Sequence, residues 1–383
     1  MIIEVKASTL AFRLRDISEI ADSPGRMPVE LCARQNDTKN GVVTVRTYVN
    51  GVDVELCVVG AKVIEPGTIY PERGFLEAVT AFGRHLLLIK SKDDAWSPFL
   101  IECGYLRVKF MQQGCSVQPK QKTLPSVPCA VFDSGELLDA LSATCHAQCN
   151  EYDRPVLRGM KIEFEERNKL VAVATDDRRL VCYSRQVSRA SLPSPTFSVY
   201  LPRPATEFLA RCMCGDTTSI FVDENRVSVR SGNDFGIFAI RSQGPFPKWR
   251  DCVPKDPQLI ATFECAELAT ALDAAIGAIN PTNSWPVEAT LAKSECSKAK
   301  VNMIVREASC IDRMEFSAEI DATVAKPIEL CVNAKYLRDA IGCNDGRLEV
   351  FGGFVDDPPR ISVLVLRFPG NPNVFEVLMP IHH

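Results

Sequence analysis

The sequence predicts an α+β fold made of three tandem, similar domains, each with two helices packed on antiparallel sheet. A chain of 383 residues exceeds one ordinary hydrophobic core, and a size of about 100 to 200 residues per domain gives two or three domains. Repeated helical patterns set the number at three, and stretches that alternate apolar and polar residues supply the strands.

A short strand, a Pro or Asn, and an amphipathic helix follow one another at three places in the chain. The copies are TIYPERGFLEAVTAF from Thr68, SVYLPRPATEFLARC from Ser198 and ELCVNAKYLRDAIGC from Glu329. Equal intervals separate Pro71, Pro202 and Asn333, which stand at equivalent positions. Each unit also opens with an earlier helical pattern: ASTLAFRLRDISEIA from Ala7, SGELLDALSATCHAQ from Ser134 and CAELATALDAAIGAI from Cys265. The repeat therefore spans the whole chain.

Stretches with a period of two residues follow the helices, and this period is typical of half-buried antiparallel strands. Examples are VVTVRTYVNGVDVELCVV at Val42, KLVAVATDDRRLVCYS at Lys169 and ISVLVLRF at Ile361. Pro, Lys and polar residues cluster at 118–128 and 253–258, where we expect short linkers. The predicted domains are residues 1–126, 127–254 and 255–383.

The 16 cysteines are scattered through apolar segments without paired CxxC clusters, which favours reduced, buried thiols over zinc sites. No apolar run approaches the roughly 18 residues of a membrane helix, and the N-terminal segment lacks the pattern of a signal peptide. We therefore expect a cytoplasmic protein that does not contact a membrane.

Known catalytic motifs are missing from the sequence, including the phosphate loop, the zinc-protease motif, the serine-hydrolase elbow and the dinucleotide fingerprint. Asp176 and Asp177 are adjacent, and on a strand they would point to opposite faces and could not share an ion. We expect no catalytic site, no metal and no cofactor. An accessory protein that hydrolyses nucleotide stays an alternative, which an ATPase assay tests.

Three copies in one chain predict a curved array, and two chains joined head to tail can close into a ring. The net charge of −4 does not exclude DNA, because a basic inner face attracts phosphate whatever the average charge. Cations on repeated helices can contact phosphates without reading bases. The candidates are Arg13, Arg15, Arg73, Arg84, Arg203, Arg211, Lys335 and Arg338. Taken singly, such cations usually belong to ordinary solvated helix faces, and it is their recurrence at matching positions of the repeat that favours a lining.

Four segments resemble the beta-subunit sliding clamps of bacterial replicative DNA polymerases. VATDDRRLVCYS, from Val173, resembles the family's ATD-G-H-R-L segment, and GPFPKWRDCVPKDP, from Gly244, is similar to its G-x-F-P-D-Y segment and domain crossing. RPVLRGMKIEF, from Arg154, resembles a Leu-x-Gly segment, and the terminal VLMPIHH is similar to the family's Met-Pro ending. The segments occur in the family's order, whereas the first domain matches mainly through the repeat.

In that family the four segments converge on a hydrophobic cleft that receives a short linear peptide from a partner protein. The resemblance implies a cleft formed by Leu157, Thr175, Asp177, Arg178, Arg179, Leu180, Pro247, Cys252, Val253, Val377, Met379, Pro380 and Ile381. Apolar side chains supply a trough, and Arg179 can hold a backbone carbonyl or a carboxylate near its rim. Without the resemblance, Leu180 and Val377 are typical of an ordinary strand core.

This chain departs from the family's pattern at several positions of the cleft. Asp177 and Arg178 stand where the family has Gly and His, so the turn loses backbone freedom and gains two opposite charges. Lys248 and Trp249 replace an Asp-Tyr pair, and Asp251 stands where a basic residue is common. The chain ends in His382-His383 instead of a basic and apolar tail. We expect a shifted peptide preference.

The resemblance implies a non-catalytic processivity factor that encircles double-stranded DNA as a homodimeric ring, without sequence preference. Its expected partners are the catalytic subunit of the replicative polymerase, the clamp loader and other proteins that carry clamp-binding peptides. Arg26, in SPGRMP, resembles a DNA-contacting loop residue, and the loop around Asn150 and Arg154 is its counterpart. The predicted DNA-contacting set is Arg26, Arg73, Arg154, Arg203, Lys335 and Arg338. The alternative is a divergent clamp paralogue that acts as a protein-interaction scaffold without a stable DNA ring.

Overall fold

The computed structural model describes most of the chain. The described residues are 1–18, 29–35, 41–49, 52–72, 74–92, 97–112, 127–151, 153–165, 168–187, 197–213, 215–223, 226–232, 235–240, 245–279, 287–293, 300–307, 315–324, 329–342, 344, 346–355 and 360–381. In these residues one order of elements occurs three times: a strand, a helix, four strands, a second helix and three strands. The first copy has one additional short strand between its two helices.

The elements of the three copies are as follows. The first copy contains β1 (Ile2–Lys6), α1 (Ala7–Ser18), β2 (Glu30–Arg34), β3 (Val42–Val49), β4 (Val52–Cys57), the additional β5 (Lys62–Glu65), β6 (Gly67–Ile69), α2 (Phe75–Ala81), β7 (Leu86–Lys90), β8 (Phe99–Cys103) and β9 (Leu106–Phe110). The second contains β10 (Ala130–Asp133), α3 (Ser134–Thr144), β11 (Gly159–Glu165), β12 (Lys169–Thr175), β13 (Arg179–Gln186), β14 (Phe197–Pro202), α4 (Arg203–Cys212), β15 (Thr217–Val222), β16 (Arg226–Ser231) and β17 (Phe235–Ile240). The third contains β18 (Gln258–Glu264), α5 (Cys265–Ile279), β19 (Val287–Lys293), β20 (Lys300–Glu307), β21 (Glu315–Val324), β22 (Glu329–Asn333), α6 (Ala334–Ile341), β23 (Arg347–Val355), β24 (Arg360–Arg367) and β25 (Val374–Leu378).

All six predicted helices are confirmed, but the three helices of the second set do not begin at equivalent positions. α4 and α6 start directly after Pro202 and Asn333, and the Asn333 side chain caps α6 by accepting the backbone N–H groups of Lys335 and Tyr336 at 3.0 and 3.1 Å. α2 instead follows Gly74, whose φ of 92° is left-handed, so it begins four residues after Pro71.

The chain divides into two compact units. One unit comprises Met1–Ser142, Glu163–Asn168 and Val187–Gln243, and the other comprises Ala143–Ile162, Lys169–Gln186 and Gly244–His383. Residues of the predicted second domain, 127–254, therefore occur in both units. The boundaries of the three domains stay a prediction.

The first unit contains two antiparallel sheets, in the orders β5-β1-β7-β8-β9 and β10-β15-β16-β17-β4-β3-β2-β6. The second of these sheets joins two copies of the repeat, because β17 pairs with β4 from Phe235 opposite Leu56 to Ala239 opposite Val52. An aromatic group of Phe75, Phe99 and Phe110 packs beside the first sheet's edge, with ring centroids 5.5 to 5.7 Å apart.

The second unit contains a long antiparallel run of strands in the order β12-β13-β25-β24-β23-β18-β21-β20-β19-β22. Here β13 pairs with β25, the last strand of the third copy, from Arg179 opposite Leu378 to Tyr183 opposite Val374. The α5 and α6 helices bury Leu268, Leu272 and Leu337 in one core with Phe263 and Leu364. Among the helices of the described residues, none is long and apolar enough to cross a membrane.

Candidate functional site

The turn between β12 and β13 carries several of the predicted cleft residues. The Asp176 carboxylate accepts the backbone N–H groups of Arg178 and Arg179 at 3.1 and 3.0 Å. The Thr175 hydroxyl donates to the Arg179 carbonyl at 2.7 Å. Asp177 has a φ of 79° and is the one non-glycine among the described residues with a positive φ. Short polar side chains therefore hold this turn in one conformation.

Asp176 and Asp177 lie in this turn and not on a strand. Among the residues that the structure describes, no group of three His, Cys, Asp or Glu side chains is arranged to hold a metal ion. The Asp176 carboxylate is instead engaged by backbone N–H groups and by the Arg179 guanidinium, whose Nε donates to it at 3.1 Å.

An apolar cluster lies beside the turn, and we call it the Leu180 cluster. It contains Val171, Val173, Leu180, Cys182, Trp249, Val365 and Val377, with Phe246 and Val253 among the partly buried side chains packed against it. Leu180 and Val377 face each other across the β13–β25 pair. The structure thus brings together predicted cleft residues from three distant segments, and it adds Trp249, which the sequence marked only as a departure.

Several predicted cleft residues in the same segments are exposed. Met379 is 54% exposed, and its backbone N–H donates to the Arg178 carbonyl at 2.9 Å. Asp177, Arg178 and Cys252 are exposed, whereas Pro247, Pro380 and Ile381 are half-buried. The backbone N–H of Ile381 donates to the Cys331 carbonyl at 2.7 Å. The segment after β25 is therefore attached by its backbone and presents the Met379 side chain to solvent.

Arg154 connects the loop before Leu157 with the turn. Leu157 is buried and ends a short 3-10 helix, Pro155–Leu157, and its backbone N–H donates to the Arg154 carbonyl at 3.0 Å. The Arg154 guanidinium forms a short ion pair with the Asp177 carboxylate. Two segments that carry predicted cleft residues are thereby joined through their side chains.

We expected Arg179 at the rim of the cleft. It is instead buried, with only 8% of its side chain exposed. Its guanidinium donates to Asp176 at 3.1 Å, to Asp339 at 2.9 Å and to the His146 carbonyl, and it stacks 4.2 Å from the centre of the Tyr336 ring. Burial disfavours its charge, but the bond to Asp339 and the charge of Asp176 outweigh burial and raise the pKa of Arg179. The carbonyl and carboxylates that it holds thus belong to this chain.

A second buried pair lies next to Arg179. The His146 ring contacts the Glu376 carboxylate at 3.1 Å, and Glu376 is 1% exposed on β25. Burial opposes the charged imidazolium, yet hydrogen bonds with Cys145 and Glu376 and the charge of Glu376 raise the pKa of His146 to about 9. Complete burial raises the pKa of Glu376, although the His146 charge opposes that shift. The charged forms of His146 and Glu376 therefore stabilise each other against the cost of burial.

Sequence reasoning missed His146, Glu376 and Asp339. One weak signal for Glu376 was available, because a single acid interrupts the apolar strand VFEVL and a buried acid needs a cationic partner. Its partner is separated from it by 230 residues in sequence, so no local pattern could have identified the pair.

The predicted DNA-contacting cations have varied surroundings. Arg203 pairs with Glu207 at 2.8 Å, and Arg338 binds both oxygens of Asp273 at 2.7 and 2.9 Å. Lys335 is exposed, as is Arg154. Arg26 and Arg73 lie outside the described residues. Paired cations retain a weaker attraction for phosphate than unpaired ones, because the neighbouring carboxylate cancels part of the field.

The structure does not place two other arginines where the sequence predicted them, on the exposed faces of the helices. Arg13 is buried, and its Nε donates to the Cys57 carbonyl at 3.0 Å. Arg84 follows α2 instead of lying on it.

In the six helices the acidic side chains outnumber the basic ones. The acids are Asp16, Glu77, Glu136, Asp139, Glu207, Glu267, Asp273 and Asp339, and the bases are Arg13, Arg15, Arg203, Arg211, Lys335 and Arg338.

Comparison with known proteins points to one family. The family "DNA polymerase III beta subunit, central domain" matches residues 132–248. Beta sliding clamps from two Streptococcus pneumoniae strains, TIGR4 and R6, are each 19% identical over 304 residues, which cover 79% of this chain and 77% of theirs.

Solved structures share the fold over the whole chain. The Bacillus subtilis sliding clamp superimposes with a TM-score of 0.81 at 16% identity, covering 100% of this chain and 99% of that one. A Pseudomonas aeruginosa sliding clamp bound to griselimycin gives 0.80 at 18% identity with 100% of both chains covered. At these identities the likeness establishes the fold, and the match at 132–248 adds the sequence signature of the central domain. The chain therefore has the fold of the beta sliding clamps over its whole length, and its residues 132–248 match the central domain of the DNA polymerase III beta subunit.

Proposed function

We propose that this protein is a DNA sliding clamp, a non-catalytic processivity factor that acts in the cytoplasm. Two copies join head to tail, form a ring around double-stranded DNA and hold the replicative polymerase there without sequence preference. The clamp loader and other partners bind through short peptides at the Leu180 cluster. The three domains of each copy are residues 1–126, 127–254 and 255–383.

The proposal of a ring rests on one observation: the same kind of strand pairing joins successive copies of the repeat twice within the chain. In each case the third strand after the first helix of one copy pairs with the last strand of the next copy: β4 with β17, and β13 with β25. The corresponding strand of the third copy is β21, and the last strand of the first copy is β9. By the same rule, β21 of one molecule pairs with β9 of another. A contact between two different edges is heterologous, and two such contacts close a dimer.

Both strands have an edge that suits this contact. β9 is the last strand of its sheet. β21 lies between β18 and β20 and pairs with β20 along Glu315–Asp321. Within the described residues it pairs with β18 only along Ala322–Val324, so the side of β21 away from β20 can receive another strand along 315–321. Unpaired backbone groups at a sheet edge favour addition of another strand. Tyr105, just before β9, is 94% exposed, and Leu106, its first residue, is 47% exposed, so apolar surface adjoins the edge.

The charges on the two edges are complementary. β9 exposes Arg107 and Lys109, whereas β21 exposes Glu319 and Asp321. Within each pair the residues are two apart and so share one face of their strand. Opposite charges across an interface fix the register and disfavour pairing of two β9 edges or two β21 edges.

Charge reversal tests this junction. Arg107→Glu with Lys109→Glu should weaken the dimer about 10- to 100-fold, since two attractive contacts become repulsive and each is worth on the order of 1 kcal/mol. Combining it with Glu319→Lys and Asp321→Lys should restore assembly, as measured by sedimentation at several concentrations. Lys62→Glu, a charge reversal on β5 at the opposite edge of the same sheet, is the control. Equal dimerisation of all variants would rule out the β9–β21 contact.

The proposed function itself is tested by solution mass and DNA retention. The chain has a mass of 42.3 kDa, and light scattering should show twice that value. After loading, the protein should remain on nicked circular DNA and leave linear DNA, because a ring slides off free ends. A monomer that binds peptides but is not retained on circular DNA would support the scaffold alternative.

A further inference from the structure

We infer that the Arg154–Asp177 ion pair makes this cleft selective for partner peptides that carry a carboxylate, and the inference rests on the cleft function proposed above. Arg154 belongs to the loop before Leu157, and Asp177 belongs to the β12–β13 turn. The pair thus bridges two of the segments that carry predicted cleft residues. A peptide that passes between them must separate the pair, and its own carboxylate can take the place of Asp177.

Hydrogen bonds hold the backbone of Asp177 and of the next residue in place. The Asp177 N–H donates to the Thr175 hydroxyl at 3.2 Å, and the next carbonyl, that of Arg178, accepts the Met379 N–H at 2.9 Å. Its φ of 79° would suit glycine without strain. Aspartate tolerates this conformation better than most residues but still at a cost. The backbone therefore does not require an aspartate here, and its distinctive contribution is the carboxylate that engages Arg154.

Arg154 is the member of the pair that can move. Its side chain is long and 44% exposed, and the Asp177 side chain is 59% exposed. Water can solvate the Asp177 carboxylate as soon as Arg154 leaves, so separating the pair costs little. A displaced Arg154 remains near the turn, where it can bind another carboxylate through two N–H groups.

The surrounding charges determine which peptide is favoured. Arg178 is exposed in the same turn, and the Glu151 carboxylate lies 3.9 Å from the Arg154 Nε. A neutral peptide leaves Arg154 without its best partner, and a basic one meets Arg154 and Arg178. An acidic side chain of the peptide gives Arg154 a new carboxylate in place of Asp177, whose contact with Arg154 is lost when the peptide binds. The cleft therefore favours acidic over neutral and neutral over basic residues at this position.

Selection from a random peptide library provides the probes. A displayed 12-residue library is selected on the wild-type protein after depletion on the Leu180→Ala, Met379→Ala variant, so that only cleft binders remain. We expect an Asp or Glu at one fixed position relative to the apolar residues. Each selected peptide is then compared with its Asn or Gln counterpart by fluorescence anisotropy at low ionic strength.

The affinities should separate the roles of the two side chains. On the wild-type protein the acidic peptide should bind about three- to ten-fold more tightly than its amide counterpart. Arg154→Met should reduce this ratio to near one, and Asp177→Asn should tighten both peptides because the Asp177 carboxylate then no longer competes for Arg154. Lys62→Met, which removes an exposed cation on β5, should keep the wild-type ratio.

Two results would overturn the inference, and they differ from failure of the cleft itself. An unchanged ratio in Arg154→Met, or equal binding of acidic and amide peptides to the wild-type protein, would show that the pair does not select. If selection yields no peptide that depends on Leu180 and Met379, the cleft function is wrong and this inference fails with it.

Discussion

Arg179→Met should lower the free energy of unfolding of the β13–β25 region by about 3 to 5 kcal/mol, the usual cost of removing one partner of a buried charge pair. Only 8% of the Arg179 side chain is exposed, so solvent screening is slight. Its loss leaves the Asp176 and Asp339 carboxylates without their guanidinium and the Tyr336 ring without its stacked cation. Methionine preserves much of the side-chain volume, which separates the loss of charge from a packing defect.

The measurement needs a local signal, because a chain with several domains does not unfold in one step. Trp249 belongs to the Leu180 cluster and reports on this region once Trp96 and Trp285 are replaced with Phe. Guanidinium unfolding is then followed by fluorescence. Arg178→Met, in the same turn but exposed, should change stability by less than about 0.5 kcal/mol. Equal effects of the two substitutions would mean that the buried network contributes nothing specific.

Leu180→Ala combined with Met379→Ala should weaken partner peptides about 30-fold or more, since each side chain contributes on the order of 1 to 2 kcal/mol to an apolar contact. The test uses peptides selected on the wild-type protein without any depletion step, so that the choice of peptide does not presuppose the cleft. Dimerisation and retention on circular DNA should be unaffected. Unchanged peptide affinity would place the binding site elsewhere.

The two substitutions have different side effects, and controls separate them. Leu180 is 5% exposed, so its truncation also leaves a cavity in the Leu180 cluster, whereas Met379 is 54% exposed and its truncation leaves the core intact. Met379→Ala alone should therefore weaken peptides without altering guanidinium unfolding. Leu259→Ala, at an exposed leucine of β18, should alter neither.

Much of the fold was predictable because it depends on local periodicity. Six amphipathic patterns in two sets of three predicted six helices, and each occurs in the structure. The equal spacing of Pro71, Pro202 and Asn333 predicted the repeat, although α2 starts later than its counterparts because the left-handed Gly74 precedes it. The sequence could not reveal which strands join successive copies, since β4 and β17 are far apart along the chain.

For the candidate site, the sequence predicted a set of residues but not their surroundings. The resemblance of four short segments identified Leu180, Val377 and Val253, which the structure brings to one cluster. It did not reveal the roles of charged residues. Arg179 was expected at a rim and is buried, and Arg13 was expected on a lining and is also buried. Whether an arginine is exposed depends on the acids and carbonyls around it, and those come from other segments.

By itself the sequence determined the class of fold, its threefold repetition and the resemblance to the sliding clamps, because helix and strand periods and short motifs are properties of contiguous residues. The tertiary structure alone decided how charges are paired. Arg179 meets Asp339 across 160 residues and His146 meets Glu376 across 230, and such partners are chosen by strand register and helix packing. It also decided that β9 is the last strand of its sheet and that β21 lies between β18 and β20, since an edge exists only once the order of strands in a sheet is set.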